Sequence, residues 1–249
     1  MKMMYQGKNV YVCDIESDGL LESVSKIWVL GYGKLKADGS WDIGTTRSYA
    51  AIQRLFENPD NVIIGHNFPA YDVPVVEKIL GIKVKARIVD TLAISYALFP
   101  NRPQSQHNLA DWGETLGVSK PEVGEEEWVG IGEVKESILS YYRGEEVKSS
   151  PELESFKALS DDDKSAMVSD IQAEKKAHQE LMEHRVTEDV KINVLLWTQM
   201  KSKLKSIYEE DMEDAERFCN YMTFKADCLR EQEENPLNID IASSRETIA

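Results

Sequence analysis

The chain reads as an α/β protein built on a mixed five-stranded sheet, three antiparallel strands followed by parallel ones, flanked by helices and closed by a helical C-terminal extension. Three observations predict this. The front of the chain holds β-branched runs separated by turn-rich segments. The middle alternates strand-like with helix-like stretches. The last third repeats its apolar residues at helical spacing.

Residues 10–15, 26–35 and 40–49 form the first three strands, and the turn-forming segments SDG at 17–19 and ADG at 37–39 join or border them as a β-meander. Residues 50–57 read as a helix. NVIIG at 61–65 is a fourth, buried strand, and residues 72–80 place Val73, Val76 and Leu80 on one face of an amphipathic helix. A short fifth strand spans 86–89. Asp90 and Thr91 can cap a helix over 92–99, and 109–116 makes another.

From 124 to about 163 the chain is acidic and weakly patterned, which reads as a solvated surface of exposed helices and loops. A long helical pattern then begins at Asp161, with Ser160 as its N-cap and Val190, Val194, Trp197 and Met200 on one stripe. After Tyr208 an acidic joint leads to a helix over 217–234, which Asn235 and Pro236 break. The division this predicts is a main domain over 1–208 and a helical extension over 209–249.

Composition excludes several function classes. The chain has 249 residues, 42% of them hydrophobic and 29% charged, and no apolar run approaches the length needed to span a bilayer. No signal-peptide hydrophobic region precedes the first strand, so a cytoplasmic location and no membrane partner are expected. Cys13, Cys219 and Cys228 lack metal-type spacing, and their odd number predicts reduced thiols. The net charge of −15 opposes strong unaided binding to nucleic acid, whose phosphates call for clustered Lys and Arg.

The chemistry gathers around acids. Asp14 and Glu16 stand two residues apart at the end of the first strand, so both carboxylates point to one face. Such a pair repels itself unless a cation neutralises it, and a divalent metal is the obvious neutraliser. About eight such pairs arise by chance in so acidic a chain, so other acids must join this one. Asp72 begins the helix after the fourth strand, in GHNFPAYD, and a parallel strand delivers that loop to the same sheet edge. Asp189 lies on the long helix beside Val190, five residues after His184.

In order and spacing these segments resemble the DEDD superfamily of 3′-to-5′ exonucleases, whose fold is ribonuclease H-like. The first motif is Asp14, Ile15, Glu16, Ser17; the second is Asn67, Tyr71, Asp72. DIESDGLLESVSKIW, HNFPAYDVPVVEKIL, VDTLAISYALF and HNLADWGETLG look like the proofreading exonuclease domain of bacteriophage family A replicative DNA polymerases, over about residues 8 to 200. The segment FKADCLREQEENPLNIDI is similar to the joint between exonuclease and polymerase in those enzymes. The chain leaves no room for palm, fingers and thumb, so polymerase activity is not expected of it.

The resemblance implies a phosphodiester hydrolase acting on single-stranded DNA 3′ ends with two divalent metals, Mg²⁺ or Mn²⁺, held by Asp14, Glu16, Asp72 and Asp189. It implies that Ser17, Asn67 and Tyr71 position the terminal nucleotide and that Leu20 wedges against the last base. A polymerase domain or subunit would be the partner, in the cytoplasm of an infected bacterial host if a phage encodes it. One position departs from the pattern: where those polymerases carry Tyr four residues before the third-motif Asp, this chain has Arg185, which cannot act as a base. His184, one residue earlier, matches the other DEDD branch and is the expected general base. An exoribonuclease would share these residues, and a catalytically silent scaffold would share the fold.

Overall fold

The computed structural model describes residues 4–121, 124, 130–209 and 211–234. Strands β1 (Asn9–Ser17), β2 (Ile27–Leu35), β3 (Trp41–Thr46), β4 (Asn61–Gly65) and β5 (Arg87–Asp90) form one sheet in the order β3-β2-β1-β4-β5. β2 runs antiparallel to β1 and β3, whereas β4 and β5 run parallel to β1. This is the mixed five-stranded sheet, three antiparallel strands and then parallel ones, that the sequence predicts.

Helices α1 (Tyr49–Glu57), α2 (Asp72–Leu80), α3 (Thr91–Leu98) and α4 (Leu109–Leu116) alternate with and follow the later strands. The third strand is shorter than expected because Ser48 caps α1, its hydroxyl accepting from Ala51 N–H. The region expected as exposed helices and loops holds α5 (Gly132–Tyr142) and α6 (Pro151–Lys157), which are not simply solvated. These bury Ile138, Leu139, Leu153 and Phe156 in a small core of their own with Val168 and Ile171. Its apolar residues are too few and too widely spaced among acids for the pattern to announce it.

Helix α7 (Asp161–Ile207) starts at Ser160, whose hydroxyl accepts from Asp163 N–H as predicted. Helix α8 (Met212–Glu234) starts five residues earlier than expected and sinks Ala215 and Cys219 into the same core as β1, β4, β5 and α7. Asn235 and Pro236, expected to end it, lie outside the described residues. Cys13 and Cys219 are buried and Cys228 is half-buried, all three as free thiols.

The sheet has a core on each face. Val10 and Val12 of β1 join the core with α7, while Cys13 and Ile15 join the one with α1 and α2. Strand alternation then puts Asp14 and Glu16 on the α7 side, at the C-terminal end of the strand. Across from Asp14 stands Gly31. A Cβ there would lie 2.8 Å from Val186 Cγ2 and 3.0 Å from the Val186 carbonyl, so the absent side chain is what lets α7 descend onto the sheet beside the acids. Among the described residues no helix is long and apolar enough to cross a membrane.

Candidate active site

Three elements bring the acids together. Asp14 and Glu16 arrive on β1, where a register shift between Glu16 and Ser17 ends regular pairing with β2. Asp189 arrives on the sheet-facing side of α7 and is 1% exposed. One oxygen each from Asp14, Glu16 and Asp189 lies within 4.8 Å of the others. Asp72, in the first turn of α2, is tied to the same strand by accepting from the Ile15 N–H at 3.1 Å.

Such crowding shows in the acid strengths. Burial, and after it the carboxylates of Asp189, Asp72 and Glu16, hold Asp14 well above the usual range. Burial also raises Asp72 well above it, against the opposing hydrogen bond from Ile15. Glu16 is pushed up to about 7 by burial, partly offset by Arg185. Asp90 is a fifth buried acid, raised to about 6 by burial although it accepts from the N–H groups of Leu92 and Asn67.

Two cations occupy the cluster. Lys120 Nζ sits 2.7 Å from Asp189 Oδ2. Arg185 Nε donates to Glu16 Oε1 at 2.9 Å, and its Nη1 donates to the Pro121 carbonyl at 2.8 Å. The other Asp189 oxygen, Oδ1, is buried and has no hydrogen-bond partner among the described residues. A buried carboxylate oxygen left bare beside two more acids is a donor set suited to a hard divalent cation, and Mg²⁺ or Mn²⁺ fits an all-oxygen environment.

The remaining expected residues fall into place unevenly. Asn67 stands exposed at the loop after β4 with φ of +57°, a left-handed conformation that Asn tolerates, and its N–H is fixed by Asp90. The Tyr71 hydroxyl bonds the Ser17 hydroxyl and donates to the Gly19 carbonyl. Leu20 is 74% exposed at the start of a turn, its carbonyl accepting from the N–H groups of Ser23 and Val24. Lys78 Nζ anchors that turn by donating to the carbonyls of Leu21 at 2.8 Å and Glu22 at 3.0 Å.

The structure does not bring His184 to the acids. Its side chain is 62% exposed, with Nδ1 3.9 Å from Glu188 on its own helix. Because α7 runs unbroken through this stretch, five residues leave a side chain about 140° around the axis, whereas four bring it back to within about 40°. Arg185 therefore shares the Asp189 face and His184 does not. His66 and His107 are structural: His66 Nδ1 lies 3.0 Å from Thr91 Oγ1, and His107 Nδ1 lies 2.6 Å from Ser95 Oγ.

Sequence reasoning missed Lys120 and the role of Arg185. Arg185 was readable, being four residues before Asp189 on one helix face. Lys120 carries no signal, since its position depends on how the chain leaves α4.

A scan against protein-family models finds no match, and a search of curated proteins finds none. Among solved structures the chain is similar to Brucella melitensis NrnC, with 18% identity over 83% of this chain and 90% of that one and a TM-score of 0.37. It is similar to E. coli exonuclease I in complex with a dT13 oligonucleotide, with 12% identity over 81% and 43% and a TM-score of 0.39. It is also similar to E. coli RNase D, described as an exoribonuclease involved in structured RNA processing, with 12% identity over 79% and 46% and a TM-score of 0.32. Likenesses this weak assign neither site nor substrate.

Proposed function

We propose that the chain is a DEDD-type 3′-to-5′ exonuclease that removes nucleotides from single-stranded or frayed DNA 3′ ends, in the manner of a proofreading domain serving a phage-type DNA polymerase. The observation that carries this reading is the meeting of Asp14, Glu16 and Asp189, with Asp72 tied in through Ile15, around a bare carboxylate oxygen. Asp14, Glu16, Asp72 and Asp189 would hold the metals. Bound divalent ions supply charge to activate water and to stabilise the leaving oxygen of a phosphodiester.

The chain's own residues do the rest. Glu16 and Asp189 each share one oxygen with a cation, which fixes their carboxylate planes. Ser17 and Tyr71, bonded to each other and next in the chain to Glu16 and Asp72, and Asn67, in the loop between β4 and α2, would orient the terminal nucleotide. Leu20, projecting from its tethered turn, offers an apolar face to a base, a contact blind to sequence. Arg185 carries only donors, engaged with Glu16 and the Pro121 carbonyl, so proton removal falls to solvent at the acids.

The test is digestion of end-labelled single-stranded DNA and matching RNA with Mg²⁺, Mn²⁺ or chelator. Metal-dependent shortening from the 3′ end, abolished by Asp14→Ala with Glu16→Ala, is the expected result. Faster loss of RNA would move the reading to an exoribonuclease, and no shortening of either would sink it.

A further inference from the structure

We infer that Lys120 and Arg185 give the acid site a built-in positive charge that loosens its hold on metal and tightens its hold on the substrate phosphate. This rests on the nuclease reading of the same site. Each cation takes one oxygen of a different acid, Lys120 on Asp189 of α7 and Arg185 on Glu16 of β1, at 2.7 and 2.9 Å. Neither is a loose surface partner: their side chains are 25% and 14% exposed, and the acids they hold are 2% and 7% exposed. They are also tied to each other, because the Arg185 guanidinium grips the Pro121 carbonyl, one residue from Lys120.

The charge count shows what they change. Metal ligands must be ionised, so the four acids contribute four negative charges. Two divalent ions alone would neutralise those charges, leaving nothing over for an anionic phosphodiester. With Lys120 and Arg185 in place the loaded site carries a surplus of two positive charges. The same cations repel incoming metal, and this repulsion acts at close range within a largely buried cluster, where screening is weak. Metal affinity and phosphate affinity are thereby set against each other, and the chain, with a net charge of −15, gains a local attraction for DNA that its overall charge denies it.

The experiment measures the two affinities separately, without turnover. Mn²⁺ is titrated calorimetrically into the wild type and into Lys120→Gln, Arg185→Gln and Lys120→Arg. Fluorescence anisotropy then follows binding of a single-stranded DNA ending in a 3′ phosphorothioate. Lys120→Gln and Arg185→Gln are expected to bind Mn²⁺ about three- to tenfold tighter and the oligonucleotide about tenfold weaker, with the salt slope of DNA binding reduced by about one. Lys120→Arg, which keeps the charge, should match the wild type in both, separating charge from folding. A purely structural role would weaken both affinities together, and that result, or movement of neither, overturns the inference. A wild type that binds Mn²⁺ but cuts no nucleic acid would instead sink the nuclease reading and leave the metal arm of this test standing.

Discussion

Helix α7 is one helix with two unlike halves. From 161 to 181 its only buried residues are Val168 and Ile171; from 182 to 204 it buries Met182, Val186, Asp189, Val190, Ile192, Asn193, Val194, Leu196, Trp197, Met200 and Leu204. The outer half is held to α5 by the pairs Lys135–Glu174 and Lys175–Glu136, each partly exposed, together with a few apolar side chains. Exposed ion pairs contribute roughly 0.2–1 kcal/mol each, so the inner half dominates the helix's stability. Arg185 and Asp189 sit just inside the boundary, where the helix enters the core. A functional side chain there inherits rigidity from the packing beyond it while keeping an open side toward substrate.

The sharpest way to separate the halves is at the site itself. Asp189→Ala should cost about 10³-fold or more in exonuclease rate, the scale of losing the charge stabilisation that a metal held there would supply, while leaving α5 and α6 as protected from hydrogen exchange as in the wild type. Phe156→Ala should do the reverse. Emptying the outer core should cost roughly 3 kcal/mol of local stability, read as faster exchange over 132–171, with cleavage of single-stranded DNA retained. Equal loss of rate in both variants would mean that the halves act as one unit.

Gly31→Ala tests the inner half by pushing α7 off the sheet. Its Cβ would meet Val186 and Val190 at 2.8–3.0 Å. A loss of roughly 1–3 kcal/mol in thermal unfolding is expected, together with reduced activity because Arg185 and Asp189 move with the helix.

The acids also predict a pH dependence. Glu16 is raised from its ordinary 4.5 to about 7, and Asp14 and Asp72 are raised as well. A carboxyl with a raised native pKa binds more protons folded than unfolded, so stability falls as pH rises between the two values. Without metal the melting temperature should therefore drop from pH 5 to pH 8, and millimolar Mn²⁺ should restore it at pH 8. A flat profile, or no metal effect, would contradict the crowded-acid picture. The smallest effect is reserved for His184: His184→Ala should change the rate less than Arg185→Ala, and the opposite ranking would return the proton to the histidine.

How far the sequence could be read follows the same boundary. β1 and β4 were legible as apolar, β-branched runs buried on both faces of the sheet, and α2 and the inner half of α7 by a helical period with one buried stripe, and the acids were found by their places on these elements. The core between α5, α6 and the outer half of α7 was not found, since Ile138, Leu153 and Phe156 are sparse among acids and find one another only in space. Arg185 was legible as the residue sharing the Asp189 face of a helix already read as continuous, whereas His184 was chosen on a spacing carried over from the resemblance. Lys120 was invisible because nothing local marks a residue that meets its partner 69 positions away.

Leu20 is exposed, but its turn is not loose. The Gly19 carbonyl is held by Tyr71 and those of Leu21 and Glu22 by Lys78, while Asp18 accepts from the N–H groups of Ser25 and Lys26 at 2.9 and 3.0 Å. An apolar tip fixed from both sides has already lost most of its conformational freedom when the chain folds. A base that meets it finds the turn's backbone already ordered, so the contact costs the freedom of one leucine side chain and of the nucleotide itself but not the ordering of a loop.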